Sequence, residues 1–209
     1  MIERRKGRSK REHATRRKNS YRLINSISPE LQYVRQSIVS SLLEKTYMNE
    51  KLPVEEFAIF EMNKVYRKAW GMDAENVPME RMQLGCVVAE RKNTETAFYK
   101  AKWYAAKLLE SLNFSAEFLP IQREGTPPAM FEPKRSAEIW VGNKCIGGVG
   151  ELKNSVRHEF KLAPYVAGFE LDLDWLIAAA PEEKRIDFAP KKREDVTITT
   201  NKTYAEELK

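Results

Sequence analysis

Cysteine and histidine are scarce in this chain of 209 residues, which contains two of each. Cys86 and Cys145 lie far apart in the sequence, form no CxxC pair and have no histidine cluster beside them. This pattern argues against a zinc site and against a disulfide framework. We therefore predict no metal-binding residues, and we expect the protein to work in a reducing cytoplasm.

Long hydrophobic runs are also lacking. No apolar stretch approaches the roughly 20 residues that a membrane-spanning helix needs. The basic N-terminus is followed by a polar segment rather than by the apolar core of a signal peptide. We therefore expect a protein that is neither inserted in a membrane nor exported. The 42% hydrophobic content is enough for one main domain with a small appendage.

Positive charge is concentrated at the N-terminus. Residues 1–22 contain ten Lys or Arg and two Glu, a local charge of +8, so residues 23–209 carry −2 of the overall +6. This segment has few large apolar side chains, and we predict that it is disordered in solution. It could bind phosphate by counterion release, or it could be a solvated extension. The candidate contacts with RNA phosphate are Arg4, Arg5, Lys6, Arg8, Lys10, Arg11, Arg16, Arg17 and Lys18.

The hydrophobic pattern of the first half predicts alternating helices and strands. Ser28-Pro29-Glu30 is typical of a helix start, and the apolar stripe that follows it predicts a helix over residues 29–46. Residues 56–61 and 81–90 read as strands, with residues 64–67 as a hairpin partner or a continuation of the first. Residues 97–113 form an amphipathic helix. Its Trp103 and Tyr104 could mark a partner surface, although a core position is favoured.

The second half contains the clearest hairpin signal. Residues 136–141 and 144–152 read as strands joined by a Gly142-Asn143 turn, after a loop over residues 123–134. A short helix over residues 153–160 and a strand over residues 165–171 follow. Asp172 or Asp174 then caps a segment over residues 175–180, an interpretation that we favour over a metal pair. Together these elements predict an α+β fold, a mainly antiparallel sheet flanked by helices.

Several segments resemble, in the same order, the catalytic-like domain of bacterial phenylalanyl-tRNA synthetase beta subunits. Asn25–Glu30 and Val34–Ile38 resemble the family's "NPIS…LRTSLLPGLL", and Phe60–Tyr66 resembles "FEIGRVF". The most specific match runs from Arg135 through Gly147 to Leu176, which is similar to "GRSAEI…IGxxGELHPxV…FELDLDxL". The resemblance implies a class II aminoacyl-tRNA synthetase-like sheet.

The resemblance covers roughly residues 24–178 and suggests a division of the chain. Residues 1–22 form the basic tail, residues 23–180 the catalytic-like domain, and residues 181–209 a linker with the incomplete start of an anticodon-binding domain. From the resemblance we expect that the large modules that precede this domain in the family are missing from this chain.

A catalytic class II domain would need arginines at the ATP phosphates. Arg67 resembles the family's motif 2 arginine, but no acidic partner is recognisable in Lys68–Gly71. Gly147, Gly148 and Gly150 lie where motif 3 is expected, yet no arginine follows them. A dinucleotide loop at Gly148-Val149-Gly150 is weaker than an interpretation as strand glycines. We therefore predict no catalytic residues, with Arg35 and Arg67 as weak candidates for a vestigial nucleotide contact.

The resemblance implies a role as well as a fold. It suggests a non-catalytic scaffold that pairs with the phenylalanyl-tRNA synthetase alpha subunit in a heterotetramer, with ATP and magnesium on the alpha subunit and contacts to tRNA as an option. A free-standing tRNA-binding paralogue, dependent on the basic tail, is the main alternative. A residual enzyme using Arg35 and Arg67 is a third hypothesis.

Overall fold

The computed structural model describes residues 20–28, 32–92, 97–121 and 129–180. The candidate phosphate contacts in the basic tail lie outside these residues, as does the predicted linker over residues 181–209. No helix in the described parts of the chain is long and apolar enough to cross a membrane.

Six strands and four α-helices make up the described chain, together with one short 3₁₀ helix. The strands are β1 (Glu56–Tyr66), β2 (Glu80–Glu90), β3 (Ala116–Leu119), β4 (Phe131–Val141), β5 (Lys144–Leu152) and β6 (Tyr165–Asp172). The helices are α1 (Ile38–Asn49), α2 (Ala97–Ser111), α3 (Asn154–Phe160) and α4 (Leu173–Ala179), and the 3₁₀ helix is Lys68–Trp70.

The strands form one sheet in the order β1-β2-β6-β5-β4-β3, and each pair of neighbours is antiparallel. The predicted α+β class is therefore confirmed. The hairpin over residues 136–152 is also confirmed, because Val141 pairs with Lys144 across the Gly142-Asn143 turn. Gly142 has a φ of 55°, a backbone conformation that favours glycine. The helix at residues 97–113 and the strands at 81–90 and 165–171 are confirmed with small changes of boundary.

Helices cover both faces of the sheet, and each covered face has its own core. Alternate residues of β2 divide between the two faces, with Cys86 and Val88 on one side and Val87 and Ala89 on the other. The first core packs under α2 around side chains such as Leu109. The second packs under α1. Burial raises the pKa of the Cys86 thiol to about 12, so this cysteine stays a neutral core residue.

The helix predicted over residues 29–46 begins later than expected, at Ile38. Residues 29–31 are outside the described chain, but residues 32–37 are extended rather than helical. Tyr33 forms a bridge with Arg22, and the N–H of Tyr66 donates to the carbonyl of Arg35 at 3.0 Å. These partners lie elsewhere in the sequence, so pairing with them overrides the local helix signal.

Of the two alternatives for residues 64–67, the continuation of the first strand is confirmed, because β1 runs without interruption to Tyr66. Two further expectations are corrected. The predicted loop over residues 123–134 is shorter, since β4 begins at Phe131 with an irregular register up to Ser136. Trp103 and Tyr104 are not core residues, because 57% and 42% of their surfaces are exposed.

The interpretations of the acids and glycines near the C-terminal strands are confirmed. The Asp172 side chain accepts a hydrogen bond from the N–H of Trp175 at 3.1 Å and so caps α4. Gly150 lies inside β5, where an added Cβ would come within 2.8 Å of the Phe131 side chain. This glycine serves close packing within the sheet, as predicted for a strand.

Candidate functional site

A row of alternating acids and glycines crosses five strands on the face that α1 covers. Directly paired residues in neighbouring strands form this row, which we call the acid–glycine row: Glu61, Gly85, Glu170, Gly148 and Glu138. Two of its carboxylates are buried, Glu138 with no exposed surface and Glu170 with 4%. Because buried carboxylates need hydrogen-bond donors or cations, their partners define what this face can do.

Helix α1 begins directly over the row, at Gly85. A Cβ added at Gly85 would lie 2.6 Å from Cγ2 of Ile38 and 3.2 Å from the backbone nitrogen of Val39. Both of these helix residues are completely buried. The missing side chain at Gly85 therefore lets the first turn of α1 rest on the middle of the sheet.

The Glu170 carboxylate caps this helix from the sheet. Ser37 precedes α1 but makes no capping hydrogen bond with its own side chain. Its hydroxyl instead donates to Glu170 Oε2. The backbone N–H groups of Ile38 and Val39 also donate to the Glu170 carboxylate. A negative side chain at the N-terminus of a helix satisfies N–H groups that have no partner within the helix.

Arg67 is the nearest cation to this buried acid. Its Nη2 lies 3.7 Å from Glu170 Oε1, within the range of an ion pair but too far for a hydrogen bond. Consistent with that distance, Oε1 accepts no hydrogen bond from the described residues. Arg67 Nε also donates to the carbonyl of Gln36 at 3.1 Å. The acidic partner that could not be recognised beside Arg67 in the sequence is therefore Glu170, on the distant strand β6.

Two arginines lie against the ring of Trp70 at the same end of the sheet. The guanidinium carbons of Arg67 and Arg81 are 5.1 and 4.6 Å from the ring centroid. Arg81 also lies 3.7 Å from Asp172 Oδ2. These contacts combine cation–π attraction with ion pairing, so both side chains are held in place by groups of the same chain.

Arg35 is more fully engaged than Arg67. Only 2% of its surface is exposed. Its Nη1 donates to Glu61 Oε1 at 2.7 Å and its Nε donates to the carbonyl of Lys64 at 2.9 Å. These bonds fasten the extended segment before α1 to the end of β1. The structure thus brings both arginine candidates to one end of β1, where each faces a different glutamate of the acid–glycine row.

The far end of the row is also internally bonded. The indole N–H of Trp140 donates to Glu138 Oε2 at 3.0 Å. Among the described residues, no cluster of three or more His, Cys, Asp or Glu side chains is arranged to hold a metal ion. The row's chemistry in this structure is that of helix capping and ion pairing between elements.

Sequence reasoning missed Glu170, Ser37 and Glu61 as parts of this cluster. The alternation of side chains along β6 indicates where Glu170 lies. Phe169 and Leu171 face the α2 core, so Glu170 must face the other side of the sheet. An acid flanked by apolar residues in a central strand requires a buried partner. The identity of that partner depended on the position of α1.

Burial raises the pKa of the Glu170 carboxyl above its ordinary value, although Arg67, the Ser37 hydroxyl and the two backbone N–H groups counteract this rise. The folded chain therefore holds the proton more tightly than the unfolded chain. The resulting stabilisation is complete below the unfolded pKa of about 4.3 and is lost as pH rises through the folded pKa. Glu170→Gln should abolish this loss. Urea unfolding at a series of pH values should show wild-type stability falling relative to the variant as pH rises.

Glu80→Gln provides a control of opposite sign. Hydrogen bonds from Lys64 and Tyr66 lower the pKa of the Glu80 carboxyl, so its contribution is present above the unfolded pKa and lost as pH falls. Wild-type stability relative to this variant should rise with pH. If the difference between wild type and Glu170→Gln is independent of pH, the buried carboxyl does not titrate as described.

Exposed aromatic side chains form a second notable surface, on α2. We call Tyr99, Trp103 and Tyr104 the α2 aromatic face, and 62%, 57% and 42% of their surfaces are exposed. The rings of Trp103 and Tyr104 pack edge to face, with centroids 5.3 Å apart. Exposed aromatic clusters of this kind are enriched in protein interfaces. The partner-surface interpretation of Trp103 and Tyr104 is thus the one that their exposure supports.

Comparison with known proteins gives consistent matches to one family. Residues 2–173 match the family model described as the phenylalanyl tRNA synthetase beta chain CLM domain. The phenylalanine–tRNA ligase beta subunit of Synechococcus sp. (strain JA-3-3Ab) is 29% identical over 177 residues, and that of Geobacillus kaustophilus is 33% identical over 180 residues. Each alignment covers 81% of this chain and 21% of the relative. The chain thus spans about one fifth of the length of these curated relatives.

Solved structures support the fold alone. The crystal structure of pyrrolysyl-tRNA synthetase from Desulfitobacterium hafniense is similar with a TM-score of 0.56 at 15% sequence identity. The match covers 77% of this chain and 52% of that chain. The six-stranded antiparallel sheet with its helices is therefore a class II aminoacyl-tRNA synthetase fold.

Proposed function

This chain belongs to the family of the phenylalanyl-tRNA synthetase beta chain CLM domain, and on that premise we propose that it is a non-catalytic structural part of a phenylalanine–tRNA ligase beta subunit. In this role it supports the alpha subunit during aminoacylation of tRNA in the cytoplasm. We place ATP, magnesium and the chemical step on the alpha subunit.

One observation carries the non-catalytic role: the arginines on the α1 face are bound to carboxylates of their own chain. Arg35 is buried against Glu61, and Arg67 lies beside the buried Glu170. A nucleotide phosphate brought to this face would meet those carboxylates as well as the arginines, and like charges in a buried setting repel strongly. The arrangement favours joining α1 to the sheet over binding ATP.

We propose that the α2 aromatic face receives the alpha subunit. It combines three exposed aromatic rings with a rigid four-turn helix that is anchored to the sheet through Ala101, Ala105 and Leu109. Tryptophan and tyrosine on such surfaces commonly contribute most of the binding energy. The helix presents them without any rearrangement of the core.

Co-expression with the alpha subunit of a phenylalanine–tRNA ligase tests this role. We expect a stable complex on size exclusion with light scattering. Trp103→Glu should weaken it by at least about tenfold, because a charge would replace a central aromatic contact. Phe60→Glu, at another exposed aromatic on β1, is the matched control and should leave the affinity for the alpha subunit unchanged. Failure of the wild-type chain to bind the alpha subunit would remove the main support for the scaffold role.

The same complexes test a contribution from the basic N-terminus to tRNA binding. Residues 1–22 carry +8 while the rest of the chain carries −2. We propose that Arg4, Arg5, Lys6, Arg8, Lys10, Arg11, Arg16, Arg17 and Lys18 contact tRNA phosphates. Binding to tRNA should then weaken steeply with salt and lose most of its strength when residues 1–22 are deleted. Unchanged binding after the deletion would contradict this contribution.

A further inference from the structure

Strand β1 is an edge of the sheet, and its outer backbone groups lack partners among the described residues between Ala58 and Met62. The carbonyl of Glu55 accepts from the N–H of Arg91, so the odd-numbered residues of β1 bond to β2. The even-numbered residues therefore point their N–H and C=O groups outward. Tyr66 confirms this direction, because its N–H bonds to the carbonyl of Arg35 beyond the edge.

The side chains along this edge provide little of the usual protection against pairing. Phe60 and Met62 are 70% and 55% exposed, and they lie with Ala58 on the face of the sheet where α2 packs. Soluble proteins normally guard an exposed edge with proline, charge or a bulge. None of these occurs at Ala58, Phe60 or Met62, and the strand is continuous over 11 residues. An open edge with apolar side chains is typical of a strand that pairs with another chain.

We propose that β1 pairs antiparallel with β1 of a second copy of this chain, with Phe60 opposite Phe60. In this register each outward position meets a complementary one. Ala58 lies opposite Met62, a small residue against a large one. Glu56 lies opposite Lys64 at each end of the pairing, and within its own chain Glu56 is paired with Lys100 and Lys64 with Glu80. The pattern about Phe60 is self-complementary in size and charge, as a two-fold symmetric interface requires.

The geometry of the edge also sets the length of the pairing. Ala58, Phe60 and Met62 offer outward N–H and C=O groups on both chains, which gives about six intermolecular hydrogen bonds, two for each pair. Lys64 ends the ladder, because its carbonyl accepts from Arg35 and its N–H donates to the Asn63 side chain. The other edge strand, β3, has only four residues. Pairing through β1 therefore joins two sheets and leaves short edges outside.

This dimer does not depend on the proposed role beside the alpha subunit, because it uses β1 whereas that role uses the α2 aromatic face. The isolated full chain is sufficient to test it. Analytical ultracentrifugation over a concentration series should show a dimer of about twice 24.3 kDa. Phe60→Glu places two like charges directly opposite each other and should weaken self-association by about tenfold or more. Trp103→Glu should leave self-association unchanged, the reverse of its effect on the alpha complex.

Cysteine cross-linking tests the register, in a chain that carries Cys145→Ser to remove the partly exposed native thiol. Residues directly opposite in a hydrogen-bonded pair have Cα atoms about 5.5 Å apart, within reach of a disulfide. Phe60→Cys should therefore form a covalent dimer on oxidation. Ala58→Cys alone should form no covalent dimer, because the two copies of residue 58 lie roughly 13 Å apart along the strands. The double variant Ala58→Cys with Met62→Cys should form one, because residue 58 of each chain lies opposite residue 62 of the other. A monomeric wild-type chain, a Phe60→Glu dimer of unchanged strength, or equal cross-linking of both single variants would overturn the proposal.

Discussion

Replacing Arg35 with alanine should lower the free energy of unfolding by about 3–5 kcal/mol, because it removes one partner of a buried ion pair. Glu61, with 22% of its side chain exposed, would lose the guanidinium that lies 2.7 Å away. The carbonyl of Lys64 would lose its donor, and the segment before α1 would lose its attachment to β1. Urea or thermal unfolding of the full chain measures this loss.

Arg135→Ala is a matched control for this experiment. Arg135 lies at the same 2.7 Å from Glu151, but 67% of its side chain is exposed. Exposed pairs contribute about 0–1 kcal/mol, so this variant should unfold almost like wild type. The double variant Arg35→Met with Glu61→Gln should recover much of the lost stability, because neither side would keep an uncompensated charge. Equal losses for Arg35→Ala and Arg135→Ala would contradict the importance of burial here.

The importance of Arg35 was beyond what the sequence could predict. The stripe of Leu31, Val34, Ile38 and Leu42 favours a helix that runs through Arg35. The structure instead extends residues 32–37 along partners at Arg22 and Tyr66. Those partners become neighbours only when the sheet has formed, so no local pattern could show that Arg35 is 2% exposed. The resemblance to a family identified the fold, but it left the arginine's contacts open.

Gly147→Ala should destabilise the fold by about 3 kcal/mol or more, because the added methyl group would overlap with a neighbouring strand. A Cβ at this position would lie 2.0 Å from the backbone carbonyl oxygen of Glu170 and 3.1 Å from Cα of Leu171. Backbone atoms in the middle of a sheet cannot move away as a flexible side chain could. Relief would require β5 and β6 to separate at the centre of the acid–glycine row, with loss of the hydrogen bonds between them.

Gly142→Ala separates this clash from the general effect of losing a glycine. No atom lies within 4 Å of an added Cβ at Gly142, but its φ of 55° is unfavourable for alanine. This substitution should therefore lower the free energy of unfolding by only about 1–2 kcal/mol. Chemical denaturation of both variants, with near-ultraviolet circular dichroism to follow aromatic packing, measures the difference. The explanation from backbone overlap is wrong if Gly147→Ala is no less stable than Gly142→Ala.

The strands around Gly147 show which features of the fold could be predicted from the sequence. The turn at Gly142-Asn143 and the glycines of β5 predicted the hairpin, because turn chemistry and strand alternation are local properties. The same reasoning predicted Asp172 as a helix cap, which the structure confirms. It could not predict that β6 lies between β2 and β5, since strand order depends on which surfaces pack together. The pairing of Glu170 with Arg67 follows from that order.

The central position of β6 also has a consequence for synthesis on the ribosome. This strand is the last of the six in the sequence, yet it alone joins the β1–β2 pair to the β3–β4–β5 group. Until residues 165–172 have left the exit tunnel, the nascent chain holds two separate sheet fragments, each with a long open edge. The hydrogen bond from Ser37 to Glu170, which helps to cap the start of α1, likewise joins residues that are 133 positions apart in the sequence. Completion of this fold is therefore a late, long-range event in translation, and the growing chain exposes aggregation-prone strand edges until then.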